Sequence, residues 1–192
     1  MTISRWIISA LWLLFLVYWG IGAISAKRTV KTASWWRQGA LRLVMIVLIL
    51  AAYRRPAIRH AVMLAEAHQA GGIIWSIAGV ILAGLGISLA ILARTYLGRN
   101  WGTPMSQKEN PELVSGGPYA LIRHPIYSGI ILAMFGSILG LGLGLLWLLP
   151  LVLFSAYFIY SARREEELMC RQFPEAYPAY MRRTKMLVPF LL

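Results

Sequence analysis

Acidic residues are scarce in this 192-residue chain, and aspartate is missing altogether. The seven acids are all glutamates, against 19 Lys and Arg, for a formal net charge of +12. The lack of aspartate excludes aspartyl dyads and Ser-His-Asp triads. A single cysteine forms no internal disulfide, and with only three histidines it leaves no zinc cluster of ordinary spacing. We therefore expect no metal site.

Charged residues of either sign are also few, at 14% of the chain, whereas 59% of the residues are hydrophobic. Soluble domains usually carry about 25% charged residues, and a disordered chain needs low hydrophobicity. The composition predicts an integral membrane protein, with one domain at this length. The basic residues are scattered among several segments, so no single basic stripe predicts nucleic-acid binding.

Long uncharged runs divide the chain into predicted membrane spans. Trp6–Ala26 is long enough to cross a hydrocarbon core and too long for a signal-peptide core, so we predict a span and not a cleaved signal. A weaker second span starts near Gln38. A third lies within the uncharged stretch Ala67–Ala93, whose small residues suit close helix packing. The run Pro125–Ala162 exceeds one span and predicts a helical hairpin that breaks near Gly140–Gly144.

The predicted fold is therefore an all-α integral membrane protein with about five transmembrane helices. Residues 1–96 hold three N-terminal spans, and residues 97–192 hold the hairpin and the polar segments around it. An outside N-terminus and a cytoplasmic C-terminus place most of the Lys and Arg residues inside, as the positive-inside rule requires. We expect this arrangement in a bacterial inner membrane.

Polar residues gather in two predicted cytoplasmic segments, 94–127 and 163–189, which flank the hairpin and therefore meet at one membrane face. The first contains the run Arg123–Tyr127, preceded by Tyr119. Pro125 suits the first turn of a helix, and a helix start offers backbone donors to an anion. Tyrosine rings attract cations. The pattern predicts a binding site at this face.

The second segment contains three adjacent glutamates, Glu165–Glu167, at the end of an apolar helix. Helix C-termini prefer cations, so one glutamate facing the His124 region would serve a cationic ligand. A structural interpretation stands beside this one. Interfacial tyrosines are commonly membrane anchors, and the glutamates would then pair with neighbouring arginines on a solvated helix.

At these residues the chain resembles the isoprenylcysteine carboxyl methyltransferase family, whose members are integral membrane enzymes that use S-adenosylmethionine. The resemblance covers roughly residues 97–189. The matching pieces are Leu113-Val114, Gly117-Pro118-Tyr119, Arg123-His124-Pro125-Ile126-Tyr127, Glu165-Glu166 and Phe173 to Tyr177. The five-span layout is similar to that of the small prokaryotic members. The resemblance implies a single methyltransferase domain with a cytoplasmic cofactor-binding region.

The resemblance also implies roles for individual residues. Those that would bind S-adenosylmethionine are Gln107, Leu113, Val114, Tyr119, His124, Pro125, Ile126, Tyr127 and Glu165. The catalytic residues would be Glu165, His124 and Arg123, and Ser161 and Arg164 would contact the substrate. The partners implied are the lipid bilayer and a lipophilic methyl acceptor, with no nucleic acid and no metal.

Two positions depart from the prenylcysteine-methylating pattern. Ser161 stands where those members have an arginine that holds the substrate carboxylate, and Pro111 stands where they have a histidine. Arg164 is three residues from Ser161 and is the candidate replacement clamp. A carboxylate acceptor needs no base at pH 7, whereas an amine acceptor, as in a phospholipid headgroup, needs His124 or Glu165 as base.

Other functions stay open on the sequence. A sterol-type reductase that uses NADPH carries a similar Arg-His-Pro-x-Tyr motif, although such enzymes are typically about twice this length. A non-catalytic protein with the same fold is the third possibility. A transporter would place ionisable groups near the membrane midplane, and the last three predicted spans carry no interior charge.

Overall fold

The computed structural model describes residues 3–24, 29–32, 72–101, 106–108, 112–144 and 147–188, with isolated positions between 43 and 60. The helices in these ranges are α1 (Ile3–Ile24), α2 (Ile73–Leu97), α3 (Pro125–Gly140), α4 (Leu148–Gln172) and α5 (Ala176–Arg183). Strands β1 (Thr29–Thr32) and β2 (Ser106–Lys108) pair antiparallel. The predicted helical class is confirmed, with a small β-ribbon added that the prediction lacked.

Two of the helices are long and apolar enough to cross a membrane, over Ile3–Gly22 and Ile73–Leu97. They match the first and third predicted spans. Each carries exposed apolar side chains, such as Leu13 on α1 and Ile81 on α2, as lipid-facing helices do. The predicted second span, which starts near Gln38, is described only at isolated positions, so the count of five spans stays a prediction.

The helices α2 and α3 pack backbone against backbone along a stripe of glycine and alanine. A Cβ atom on Gly129 would lie 2.5 Å from the carbonyl oxygen of Gly86 and 2.8 Å from the amide nitrogen of Ala90. Ala83, Ala90 and Ala133 are fully buried in the same contact. Small residues permit this close approach in lipid, as the third uncharged stretch predicted. We call this contact the small-residue interface.

The predicted hairpin breaks at the predicted glycines. Helix α3 ends at Gly140, Gly142 has a φ of +63°, and α4 begins at Leu148. A positive φ is readily adopted by glycine because it has no Cβ atom. The apolar first half of α4 leads away from this turn, and its polar second half carries the buried residues Ser161 and Glu166. The break thus returns the chain towards the start of α3.

Residues 184–187, which follow α5, bind along the loop that precedes α3. Ile122 forms a parallel bridge with Lys185. The backbone amides of Arg123 and His124 donate to the carbonyls of Lys185 and Met186 at 2.8 and 3.0 Å. The Lys185 amide donates back to Leu121 at 3.2 Å. We call residues 184–187 the strap, because their backbone holds this loop in place.

Candidate functional site

The site is built around His124, which occupies the position just before the first residue of α3, Pro125, and is only 8% exposed. Pro125 occupies the first turn, where its missing N–H costs no hydrogen bond. The polar half of α4 brings two glutamates to the ring. His124 Nδ1 lies 3.5 Å from Glu165 Oε2, and His124 Nε2 lies 3.4 Å from Glu166 Oε1. The two polar segments of the sequence therefore meet here.

A buried ion pair joins Arg123 to Glu166. Arg123 Nε donates to Glu166 Oε1 at 2.6 Å, and both side chains are 9% exposed. The other branch of the guanidinium, NH1, donates to the carbonyl of Thr184 in the strap at 2.5 Å. Burial alone would raise the pKa of Glu166, but hydrogen bonds and charges from His124 and Arg123 outweigh burial and lower it. Glu166 is therefore ionised at neutral pH.

His124 is held between two carboxylates. Burial alone would lower its pKa, and the hydrogen bonds and charges of Glu165 and Glu166 outweigh burial, so that the pKa is raised from its ordinary value. A neutral imidazole has one N–H and one acceptor nitrogen, and the acceptor would face a carboxylate in this arrangement. A carboxylate oxygen within 3.5 Å of each ring nitrogen therefore favours the imidazolium form, and the buried Nε2 makes no hydrogen bond to the described residues.

Glu165 is the more accessible carboxylate of the pair. Its side chain is 25% exposed, and it accepts a hydrogen bond from the hydroxyl of Tyr127 at 2.6 Å. The Tyr127 ring lies in a row between two others, with centroids 5.5 Å from His124 and 4.8 Å from Phe158, both stacked. A carboxylate beside stacked aromatic faces is suited to bind a cation. We call Arg123, His124, Tyr127, Glu165 and Glu166 the polar cluster.

Several of the predicted cofactor-binding residues pack beside this cluster. Tyr119, Ile126 and Tyr127 are buried in one hydrophobic core with Ala162, and Val114 packs against it. Burial raises the pKa of Tyr180 to about 12, so its hydroxyl stays protonated and donates to the carbonyl of Tyr119 at 2.6 Å. Tyr119 is thereby fixed to α5 beside the site.

Leu113 and Gln107 are less closely tied to the cluster. Leu113 is half-buried. Gln107 lies in β2, where its backbone pairs with that of Lys31. Pro111, the second departure from the family pattern, lies outside the described residues.

The two predicted substrate residues have opposite surroundings. Ser161 is fully buried one turn before Glu165, and its hydroxyl oxygen has no hydrogen-bond partner among the described residues. Arg164 is half exposed and pairs with Glu167 at 2.9 Å, with its guanidinium also 5.7 Å from the Tyr160 ring centroid. The structure does not bring Arg164 to the cluster. Residues three apart on a helix are neighbours on its surface, and Arg164 pairs there with Glu167.

Sequence reasoning gave no role to Glu166 or to the strap. Glu166 lies four residues after Ala162 and shares its inward face, but the burial of that face is shown by the structure and not by the sequence. The sequence carries no signal for the strap either. Its contacts are made by backbone groups about 60 residues from the loop, such as the carbonyl of Lys185 that accepts from Arg123.

Residues 74–176 match the sequence profile of the phospholipid methyltransferases. This stretch exceeds half of the chain and contains α3 and α4 entirely and all of α2 except Ile73. The chain belongs to the phospholipid methyltransferase family. The predicted methyltransferase is thus supported at the level of the family, whereas the resemblance to isoprenylcysteine-methylating enzymes stays a prediction.

Two metal-resistance proteins are similar to this phospholipid methyltransferase family member. The nickel-cobalt-cadmium resistance protein NccN of Alcaligenes xylosoxydans xylosoxydans is 30% identical over 161 residues, which cover 81% of this chain and 65% of the relative. The cobalt-zinc-cadmium resistance protein CzcN of Cupriavidus metallidurans is 34% identical over 109 residues, 56% of this chain and 47% of the relative. The chain spans less than two thirds of the length of either.

Family membership and the two apolar helices together indicate a membrane protein. The inner membrane and the orientation, with the N-terminus outside, stay predictions. The polar cluster lies at the N-terminal end of α3 and beyond the apolar half of α4, which is where the predicted orientation places the cytoplasmic face.

Proposed function

We propose that this protein transfers a methyl group from S-adenosylmethionine to a lipophilic acceptor in the membrane. The observation that carries the proposal is the position of Glu165, a partly exposed carboxylate hydrogen-bonded to Tyr127, whose ring stacks on that of Phe158. Membership of the phospholipid methyltransferase family supports the reaction class.

The residues of the cluster fit the charge of this methyl donor. S-adenosylmethionine carries a sulfonium and an ammonium group, which are attracted by a carboxylate and by aromatic faces. Glu166 is directed to Arg123 and is almost fully buried, so Glu165 is the carboxylate placed to meet the donor. Tyr119, Ile126 and Val114 supply an adjoining apolar wall suited to the uncharged parts of the molecule.

The acceptor that the site favours is an amine, as in a phospholipid headgroup. A carboxylate acceptor would need a cation to hold it, but Ser161 replaces the arginine of the prenylcysteine enzymes and Arg164 is paired with Glu167. A carboxylate and a hydroxyl, Glu165 and Ser161, share the face of α4 that meets the cluster. Glu165, whose side chain is 25% exposed, suits an ammonium group that approaches from the bilayer, whereas the Ser161 hydroxyl is fully buried.

The bound donor supplies a methyl group activated by positive sulfur. Glu165 takes a proton from the ammonium form of the acceptor, and the neutral amine nitrogen then forms a bond to the methyl carbon. The carbon–sulfur bond of the donor would break with its electron pair on sulfur, so that a neutral thioether would leave and the positive charge would pass to the methylated nitrogen. Tyr127 holds Glu165 through its 2.6 Å hydrogen bond, and orientation is the main source of rate for such a displacement.

The first test is binding of S-adenosylmethionine to the purified full chain by calorimetry, with NADPH as the control ligand. We expect the methyl donor to bind and NADPH not to bind. Glu165→Gln should weaken donor binding by about 10-fold to 100-fold, the value of a charge-assisted hydrogen bond. The matched control Glu167→Gln, whose side chain is 52% exposed, should bind as the wild type does.

Each contrary result favours a different function. Binding of NADPH alone would favour the reductase interpretation. Equal losses in Glu165→Gln and Glu167→Gln would contradict the role given to Glu165. The acceptor is then tested with the labelled methyl donor and two substrates in vesicles, phosphatidylethanolamine and a prenylcysteine. Label in the prenylcysteine alone would overturn the amine proposal.

A further inference from the structure

Glu166 presents one carboxylate oxygen to two residues of the loop before α3, Arg123 and His124. Its Oε1 accepts from Arg123 Nε at 2.6 Å and lies 3.4 Å from His124 Nε2. The Glu166 side chain is 9% exposed, whereas the Glu165 side chain is 25% exposed. A buried carboxylate enclosed by Arg123 and His124 is badly placed to meet a ligand directly. Its contacts instead fix the groups on either side of it.

On one side, Glu166 fixes the strap through Arg123. The Arg123 guanidinium joins α4 to the strap, because Nε donates to Glu166 while NH1 donates to the carbonyl of Thr184 at 2.5 Å. The backbone amide of the same residue donates to Lys185. Three chain segments that are distant in the sequence therefore meet at one arginine.

On the other side, Glu166 completes the enclosure of His124. The charged and titratable groups around the ring are Glu165 and Glu166 from α4, Tyr127 from α3 and Arg123 in the loop, with Tyr177 of α5 close to Glu166. Both ring nitrogens face carboxylates. Removal of a proton from either nitrogen would place a lone pair against a carboxylate oxygen, which disfavours the neutral ring.

We propose that Glu166 is a positioning residue of the methyl-transfer site, which holds His124 as an imidazolium and fixes Arg123 to the strap. His124 is then a fixed cation and not the base, so Glu165 alone remains to accept a proton in the cluster. This inference takes the reaction, methyl transfer, from the proposed function. The protonation state of His124 does not depend on that function.

The test is the protonation state of His124, measured by nitrogen NMR on the detergent-solubilised full chain with labelled histidine. The chain has three histidines, and His124→Gln identifies the signal. We expect the imidazolium signature at pH 7.5 in the wild type. Glu166→Gln should lower the midpoint of the His124 titration by about one pH unit or more, and Glu167→Gln should leave it unchanged.

A neutral His124 in the wild type at pH 7.5 would overturn the proposal, and so would a folded Glu166→Gln variant with an unchanged His124 titration. The wild-type measurement decides the question even where Glu166→Gln does not fold. Calorimetry of S-adenosylmethionine binding is the second readout, and Glu166→Gln should weaken it at least about 10-fold. If His124 is an imidazolium in the wild type but S-adenosylmethionine does not bind, the proposed function is contradicted and the role of Glu166 is not.

Discussion

Helix α3 takes part in two regions that are held together by opposite means. Its body contributes Gly129 and Gly136 to the small-residue interface with α2, where backbones touch and no charge is present. Its N-terminus carries His124 and Tyr127 into the polar cluster, where ionised side chains are buried together. In the small-residue interface, the space between the two backbones determines which side chains are tolerated. In the polar cluster, the balance of positive and negative charges determines which substitutions are tolerated.

The largest effect is expected from removal of a charge in the polar cluster. Arg123→Ala leaves Glu166 buried without its closest cation, and breaking a buried pair costs about 3–5 kcal/mol. The matched control is Arg164→Ala, because the Arg164–Glu167 pair is about half exposed and such pairs contribute about 0–1 kcal/mol. Both are measured as free energies of unfolding in detergent by circular dichroism. Equal losses would show that burial does not distinguish the two pairs.

An added methyl group in the small-residue interface should destabilise the protein. A Cβ at Gly86 would collide with the backbone of Gly129 and Ala133, whereas one at Gly84 would meet nothing within 4 Å. Both changes to alanine gain the same helix propensity, so their difference isolates packing. We expect Gly86→Ala to be less stable than Gly84→Ala by about 1–3 kcal/mol. Identical unfolding midpoints of Gly86→Ala and Gly84→Ala would mean that α2 and α3 can move apart without loss of unfolding free energy.

The pH dependence of stability should separate the two regions, and the effect is smaller because protonation leaves every side chain in place. The raised pKa of His124 stabilises the fold fully below its ordinary value of 6.5, and this is lost as the pH rises through the folded value. The lowered pKa of Glu166 stabilises the fold above 4.5, and this is lost as the pH falls through the folded value. Their joint contribution is therefore greatest between pH 4.5 and 6.5.

Thermal unfolding across this range measures the effect. His124→Gln should lack the alkaline decline that we assign to His124, while Gly84→Ala should keep the wild-type profile because it leaves the cluster intact. An alkaline decline that persists in His124→Gln would assign it to another group.

The two regions also differ in how well the sequence predicted them. The small-residue interface follows from local composition, since Gly79, Ala83 and Gly86 share one helical face and lipid favours small residues in contact. The hairpin break near Gly140 follows from span length in the same way. The second polar segment was placed near the first because a hairpin returns to the same membrane face. These features need only the periodicity and length of a helix.

The fine structure of the polar cluster could not be predicted in this way. The sequence offered three adjacent glutamates, and the rotation of α4 decides which one is buried, which is partly exposed and which is solvated. Arg164 was the predicted substrate clamp, but Glu167 lies within its reach on the helix surface. The strap binds through backbone groups, so its contacts leave no recognisable pattern of side chains in the sequence. Such contacts depend on tertiary geometry and not on local preference.

The smallest expected effect concerns a polar contact between α1 and the body of α3. Trp12 Nε1 donates to Ser137 Oγ at 3.0 Å, while the Ser137 hydroxyl donates to Ala133 at 2.7 Å. Hydrogen bonds between membrane helices contribute about 0.6 kcal/mol on average, so Trp12→Phe should cost about that amount in unfolding free energy. Trp6→Phe is the control, because Trp6 is 64% exposed. A loss of several kcal/mol in Trp12→Phe would show that a hydrogen bond, and not close backbone packing, stabilises this end of α3. The contrast between the two regions would then fail.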